Sequence, residues 1–421
     1  MDNKIYLCID LKSFYASVEC VERGLDPFTT NLVVADPSRG SGGICLAITP
    51  AMKELGVKNR CRIFQIPEHI EYITALPRMK LYMEYSANIY AVYLRYISSE
   101  DIHVYSIDEC FFDATPYLEL YGKTPKELTL MLLDAVYKET GICATAGIGT
   151  NMFLAKVALD ITAKHSDDHI GYLDQQSFQE KIWHHRPITD IWNIGSGIAT
   201  RLSRMGMYDL YDVAHANEKN LYREFGVNAE YLIDHSHGRE PCTIADIQGY
   251  EAKSCSISNG QILFENYSSQ EALLVVKEMV DMLSLELVEK NLVTNSISLT
   301  IGYGVSGVSP TGGTRKLEGF TNSSRKLTDY FIDYFGKVVR PGVPIRKLNV
   351  GFNHLVVEEY AEIDLFADFE EDEKELKRQQ AIIEIRKKFG KNSIIKGMSL
   401  QEKATARTRN KLIGGHNGGE E

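Results

Sequence analysis

Residues 103–113 read HVYSIDECFFD, two β-rich apolar runs that meet at the acidic pair Asp108 and Glu109. Successive side chains of a strand point to opposite faces, so adjacent acids can serve one site only where the chain turns. The stretch therefore predicts two strands joined at the acids, with Asp113 structural at the far end. Outward from it, residues 4–9 alternate in a β-rich pattern and end at Asp10. A helix follows, with Ser13 placed to cap it and Gly24 just past its end. Residues 78–98 and 125–139 read as helices, ICATAGI at 142–148 as a strand, and 151–164 as a helix. This alternation predicts an α+β domain on a ferredoxin-like sheet.

The rest of the chain falls into distinct stretches. Residues 32–73 read as short strands around one small helix, capped by Thr49, with Pro50 in its first turn and Gly56 at its end. Residues 174–240 are mostly helical. Within them DIWNIGSGIATRLSRMGM, at 190–207, has the form of a helix–hairpin–helix, in which Gly195 and Gly197 let backbone amides approach a phosphate. Residues 245–357 follow a β-α-β-β-α-β order with helices at 268–289 and 323–335. Residues 358–421 are expected to form a flexible tail with one amphipathic helix near 371–389. Its first part, 358–375, has ten acids and one lysine; 376–411 has eleven basic residues and two acids.

At 421 residues the chain is long enough for about three domains, and its 44% hydrophobic and 24% charged residues are globular proportions. No apolar run reaches the roughly 18–20 residues of a membrane span, and MDNKIYLCIDLKS does not read as a signal peptide. A cytoplasmic location follows. The eight cysteines form no CxxC and have no neighbouring histidines, which argues for free thiols rather than zinc or redox pairs. A net charge of −11 counts against a simple basic nucleic-acid coat. Residues 314–347 nevertheless carry eight basic residues against three acids, among them Arg315, Lys316, Arg325, Lys326, Arg346 and Lys347, which suits salt-sensitive phosphate binding.

Asp10, Asp108 and Glu109, drawn from two distant segments to sheet ends, form a cage suited to hard divalent cations such as Mg²⁺. Two such ions, about 4 Å apart, can activate an attacking hydroxyl and stabilise the leaving oxygen of an in-line phosphoryl transfer. The helix N-terminus at 12–15 offers amides to a triphosphate. The glycines of AGIGTNM do not complete a dinucleotide fingerprint, because Met152 stands at the third glycine position, and no GKS or GKT phosphate loop occurs.

DLKSFYASVEC at 10–20, SIDE at 106–109 and AGIGTNMFLAKVALDITAK at 146–164 resemble, in consistent order, the Y-family translesion DNA polymerases. The resemblance covers residues 4–357 and part of the tail, and lies nearest the UmuC/ImpB/MucB-like branch of Gram-positive bacteria and their mobile elements. It implies a right-hand polymerase: a ferredoxin-like palm (1–24 and 75–173), small fingers (25–74), a helical thumb (174–240), a little finger (245–357) and the tail (358–421). Two Mg²⁺ ions would be held by Asp10, Asp108 and Glu109, helped by the carbonyl of Leu11. Tyr15 would be the steric gate against a 2′-hydroxyl, Phe14 would pack under the incoming nucleotide, and Lys53 and Lys164 would contact its triphosphate. Lys53 stands where arginine is usual, and Pro50 where tyrosine is usual. EIDLF at 362–366 resembles a β-sliding-clamp peptide, with Leu365 and Phe366 as anchors and Glu362 in place of the usual leading Gln.

The implied activity is error-prone, template-directed synthesis past lesions from dNTPs on primer–template DNA, near the nucleoid, with damage-inducible expression and other damage-response proteins as partners. Two other readings are open to the sequence. A nucleotidyl cyclase is opposed by the DNA-holding segments after residue 174. A catalytically idle, clamp-binding accessory factor is opposed by the intact acids.

Overall fold

The computed structural model describes residues 4–252, 255–360 and 369–419, and the chain divides into two compact units, 1–250 and 251–421. Glu362, Leu365 and Phe366 lie outside the described residues. No described helix is long and apolar enough to cross a membrane.

In the first unit Tyr6–Leu11 is the middle strand of five, flanked by Glu109–Asp113 and then Ile102–Val104 on one side, and by Ala144–Gly149 and then Ile170–Leu173 on the other. It runs antiparallel to both neighbours, while the last two strands are parallel. The period-two pattern explains the layers. Leu7, Ile9 and Leu11 join Phe112, Ile148 and the helices Met79–Tyr93 and Pro125–Thr140 in one core, while Tyr6 and Cys8 face Phe111, Met152 and Leu159 in another.

The glycines of the AGIG run have a packing role. A Cβ at Gly147 would lie 2.0 Å from the Ala155 carbonyl oxygen, and one at Gly149 2.2 Å from the Ala155 nitrogen. On the neighbouring strand, a Cβ at Gly171 would lie 2.2 Å from Thr162 Oγ1. Bare glycines thus allow the helix Met152–Val157, capped by Asn151 and continued by a π turn over Ala158–Thr162, to lie almost in contact with the sheet.

A small sheet of Ala47–Ile48, Leu32–Val34 and Ile73–Ala75, with the helix Pro50–Glu54, encloses its own cluster of Val33, Cys45, Ile48, Met52 and Cys61. Two capping expectations are corrected here. Thr49 stands at the N-cap position, but its hydroxyl accepts from the Leu32 amide at 3.1 Å. Ser13 precedes the helix Phe14–Val21 in a left-handed conformation (φ 52°), which turns its hydroxyl away from the helix amides; the buried Oγ has no partner.

The second unit has the expected β-α-β-β-α-β order. Its antiparallel sheet runs Thr311–Thr321, Leu292–Tyr303, Ile345–Asn353, Ile257–Tyr267. The helices Ser269–Glu289 and Ser324–Val338 cover one face through Val275, Met279, Leu327 and Phe331 against Ile297, Leu299, Leu348 and Val350.

The C-terminal part departs from the expectation of a flexible tail. Over 369–419 it folds onto this unit, beginning with the helix Phe369–Phe389. The reason is a pair of buried carboxylates. Glu375 accepts from Ser323 Oγ (2.6 Å) and the Arg325 amide (3.0 Å), while Glu278 accepts from the Thr405 and Ala406 amides at 2.8 and 3.0 Å.

Candidate active site

Strand pairing brings the three acids together. Asp10 stands opposite Glu109 in the register of the two central strands, and the Leu11 amide donates to the Asp108 carbonyl at 2.9 Å. Asp108 occupies the turn before the strand Glu109–Asp113, where its Oδ1 accepts from Ser106 Oγ at 2.6 Å. Burial pushes the Asp10 carboxyl up to about 7, and the charges of Asp108 and Glu109 push in the same direction. The strand end therefore gathers more negative charge than its surroundings neutralise. Asp113 is structural, as expected: its Oδ1 accepts from the Thr115 amide at 3.1 Å.

Glu109 is buried, with Oε1 2.5 Å from Lys156 Nζ and accepting from Cys8 Sγ at 3.1 Å. Lys156 also lies 3.0 Å from Asp160 Oδ1. Burial opposes the Lys156 charge, but Asp160, Cys8 and Glu109 outweigh it and hold the ammonium well above its ordinary range. The sequence reading missed Lys156. Its signal was present in the spacing Lys156–Asp160, one helical turn, in a segment otherwise apolar enough to be buried.

Among the described residues no three acidic, histidine or cysteine side chains converge as a finished ligand set, because Glu109 is turned to Lys156 and Asp108 to Ser106. The donor chemistry nonetheless suits a hard divalent cation: Asp108 and Glu109 lie near enough for their charges to act on Asp10, which is short of compensating charge.

Beside the acids lies a group of lysines. Burial lowers the Lys53 pKa; Asp10 opposes that effect while Lys12 and Lys164 add to it. Lys53 thus lies within electrostatic reach of Lys164 and of Lys12, a third cation that the sequence reading did not assign. Lys12 Nζ also sits 3.2 Å from His169 Nε2. The position of Lys12, between Asp10 and a helix start, was the available signal.

Tyr15 is half-buried and stacks on Tyr82, with ring centroids 4.6 Å apart and planes at 16°. Tyr82 is fixed in turn: its hydroxyl donates to the buried Glu19 at 2.7 Å, and Arg78 grips the same carboxylate through Nε and Nη2 at 2.9 and 2.8 Å. Phe14 is only 3% exposed and belongs to the core cluster that includes Leu11, against which Tyr15 packs.

The basic residues of the second unit do not form the single patch expected from their density. Lys316 and Lys347 lie opposite Ser296 and Gly302 on the sheet face away from the helices, among Thr314, Ser298, Thr300 and Asn349. Arg315 lies opposite the core residue Ile297 and pairs with Asp333. Arg325 and Lys326 pair with Asp372 of the C-terminal helix, at 3.9 and 2.6 Å. Arg346 lies at a register shift between Ile345 and Lys347. The alternation of the strands and the folded C-terminal helix divide the group. Gly195 caps the helix Ser196–Arg204, and a Cβ at either Gly195 or Gly197 would meet nothing within 4 Å.

The model of the impB/mucB/samB family matches residues 9–160, and that of the family's C-terminal domain residues 254–365. A Bacillus subtilis (strain 168) protein named for UV-damage repair, UvrX, is 31% identical over 98% of this chain and 97% of its own length. DNA polymerase IV 2 of the same organism is 29% identical, with 99% of each chain covered. A solved Y-family DNA polymerase chimera, Dbh-Dpo4(243-245)-Dbh, has a similar fold, with a TM-score of 0.64, 20% identity, and coverage of 84% of this chain and 99% of that one.

Proposed function

We propose, since the chain belongs to the impB/mucB/samB family of Y-family DNA polymerases, that it extends DNA primers from dNTPs and copies past damaged template bases. The observation that carries this reading is the meeting of Asp10, Asp108 and Glu109 at one strand end, beside Lys12, Lys53 and Lys164.

Each group has a task in that reaction. Lys12, Lys53 and Lys164, with the amides at the start of the helix Phe14–Val21, receive the triphosphate and withdraw charge from the leaving pyrophosphate. The Ser13 hydroxyl, which precedes this helix and has no partner within the protein, keeps a proton to donate. Tyr15, backed by the fixed Tyr82 ring, excludes a ribose 2′-hydroxyl. Two Mg²⁺ ions, held by Asp10, Asp108, Glu109 and the Leu11 carbonyl, would acidify the primer 3′-hydroxyl and neutralise the charge developing on the transferred phosphoryl group. Lys156 acts through Glu109 as a positioning residue, holding that carboxylate in a dry setting.

DNA is held by phosphate contacts: at the open Gly195–Gly197 turn, and on the small polar sheet face carrying Lys316 and Lys347. The fingers, a three-stranded sheet with one short helix, offer little surface to check the nascent pair, which suits error-prone synthesis. Glu362, Leu365 and Phe366 would dock a β sliding clamp, and DNA as substrate favours the nucleoid as the place of action.

The test is primer extension on undamaged and abasic templates, with and without a β clamp. Insertion opposite the abasic site supports translesion synthesis. Clamp binding without extension on any template would instead favour an accessory factor.

A further inference from the structure

The C-terminal domain match ends at residue 365, yet residues 369–419 are built into the second unit. That added segment is held by buried carboxylates, which are costly to desolvate and are here largely satisfied by backbone amides. Arg409 is also drawn inward, donating to Gln261 Oε1 at 3.0 Å. Such an anchor fixes whatever the outer side of the segment presents.

What it presents is positive charge around an exposed aromatic ring. Residues 376–411 carry eleven basic residues against two acids, a net of +9 in a chain of net −11. Several are neutralised locally: Lys377, Lys387, Lys396 and Lys403 each pair with a carboxylate. Lys388, Lys391, Arg407 and Lys411 are exposed and have no carboxylate within 4.0 Å among the described residues.

These four are brought to one end of the segment by side-chain amides. Asn392 Nδ2 donates to the Arg407 carbonyl at 3.0 Å, and Asn410 Nδ2 donates to Asn392 Oδ1 at 2.9 Å and to the Lys391 carbonyl at 3.4 Å. The end of the helix Phe369–Phe389 is thereby tied to the 406–411 turn. Between Lys388 and Lys391 stands Phe389, 66% exposed, with Lys388 Nζ 5.3 Å from its ring centroid.

Cations that track a backbone, set around an aromatic face that any base can cover, are the chemistry of single-strand recognition. We propose that this end of the C-terminal segment is a single-stranded DNA site, with Phe389 stacking on a base and Lys388, Lys391, Arg407 and Lys411 holding the phosphates. It rests on the polymerase reading only for the choice of DNA as the polyanion. An acidic protein partner would not call for an exposed ring between lysines.

The test uses the full chain and measures fluorescence anisotropy of a labelled oligo-dT and of a hairpin duplex against salt. Replacing Lys388, Lys391, Arg407 and Lys411 together by Gln should reduce the slope of log affinity against log salt for oligo-dT by about 3, from roughly 0.7 per lost contact. Phe389→Ala should weaken oligo-dT binding roughly tenfold with the slope unchanged, and leave duplex binding within about twofold. Lys374→Gln/Lys377→Gln, on exposed lysines already paired with acids, should change neither.

Parent-like oligo-dT binding by both test variants overturns the proposal, as does equal loss on oligo-dT and duplex. Primer extension at low salt is run in parallel. Its absence in the parent would count against the polymerase reading, while the titrations would still decide this one.

Discussion

Lys156 Nζ lies 2.5 Å from Glu109 Oε1, joining the helix packed on the sheet to the carboxylate that stands opposite Asp10. Both side chains are close to fully buried, about 11% and 9% exposed. Removing one member of a buried pair leaves the other charge without a partner, at a typical cost of about 3–5 kcal/mol. Lys156→Met should therefore lower stability by that order in urea unfolding, and adding Glu109→Gln should restore part of the loss. A change within 0.5 kcal/mol for Lys156→Met would mean that the pair is not formed.

Asp10 gives a pH signature of the uncompensated acids. Its folded-state pKa, about 7, lies above its ordinary 3.8, so the native protein without bound cations holds this proton more tightly than the unfolded chain. The stabilisation is complete below about pH 4 and is lost as pH rises through 7, by up to about 4 kcal/mol. Asp10→Asn should match the parent near pH 4 and exceed it in stability at pH 8 in EDTA. Mg²⁺ should then raise the melting temperature of the parent more than that of the variant.

Two glycines predict opposite outcomes. At Gly147 an added Cβ would stand 2.0 Å from the Ala155 carbonyl oxygen, so Gly147→Ala should push the helix bearing Lys156 off the sheet and cost at least about 3 kcal/mol. At Gly197 the space is open, so Gly197→Ala should leave stability within about 1 kcal/mol. If backbone amides there approach a phosphate, the same change should weaken DNA binding without changing the KM for dNTP. Urea unfolding and DNA titration on both variants check the pair.

Tyr15→Ala should reduce the preference for dNTP over rNTP by at least about tenfold, while Tyr15→Phe, which keeps the ring on Tyr82, should retain it. Single-nucleotide insertion kinetics with each nucleotide give the ratio. Unchanged discrimination in the alanine variant would remove Tyr15 from the sugar contact.

Much of this was legible in the sequence because strand periodicity and turns are local. The alternation at 4–9, the acids in HVYSIDECFFD and the glycine ends of the helices place Asp10 and Glu109 in register. The corrections have a common cause in long-range contacts. Ser13 and Thr49 sit where caps belong, but a left-handed backbone and the Leu32 amide redirect their hydroxyls. The basic stretch at 314–347 looked continuous because sequence density does not show sheet faces. Pairing of Arg325 and Lys326 with Asp372 depends on a segment more than 40 residues away. The folded C-terminal part escaped notice because its anchors, Glu278 and Glu375, read as ordinary exposed helix acids until their partners are known.

The most direct test of the catalytic assignment is primer extension with Mg²⁺ and dNTPs by the parent and by Asp108→Ala/Glu109→Ala, with folding of the variant checked by circular dichroism. Extension by the parent is expected, with a loss of at least about a thousandfold in the folded variant. Extension by the variant at a parent-like rate, or none by the parent even with a β clamp supplied, would contradict it.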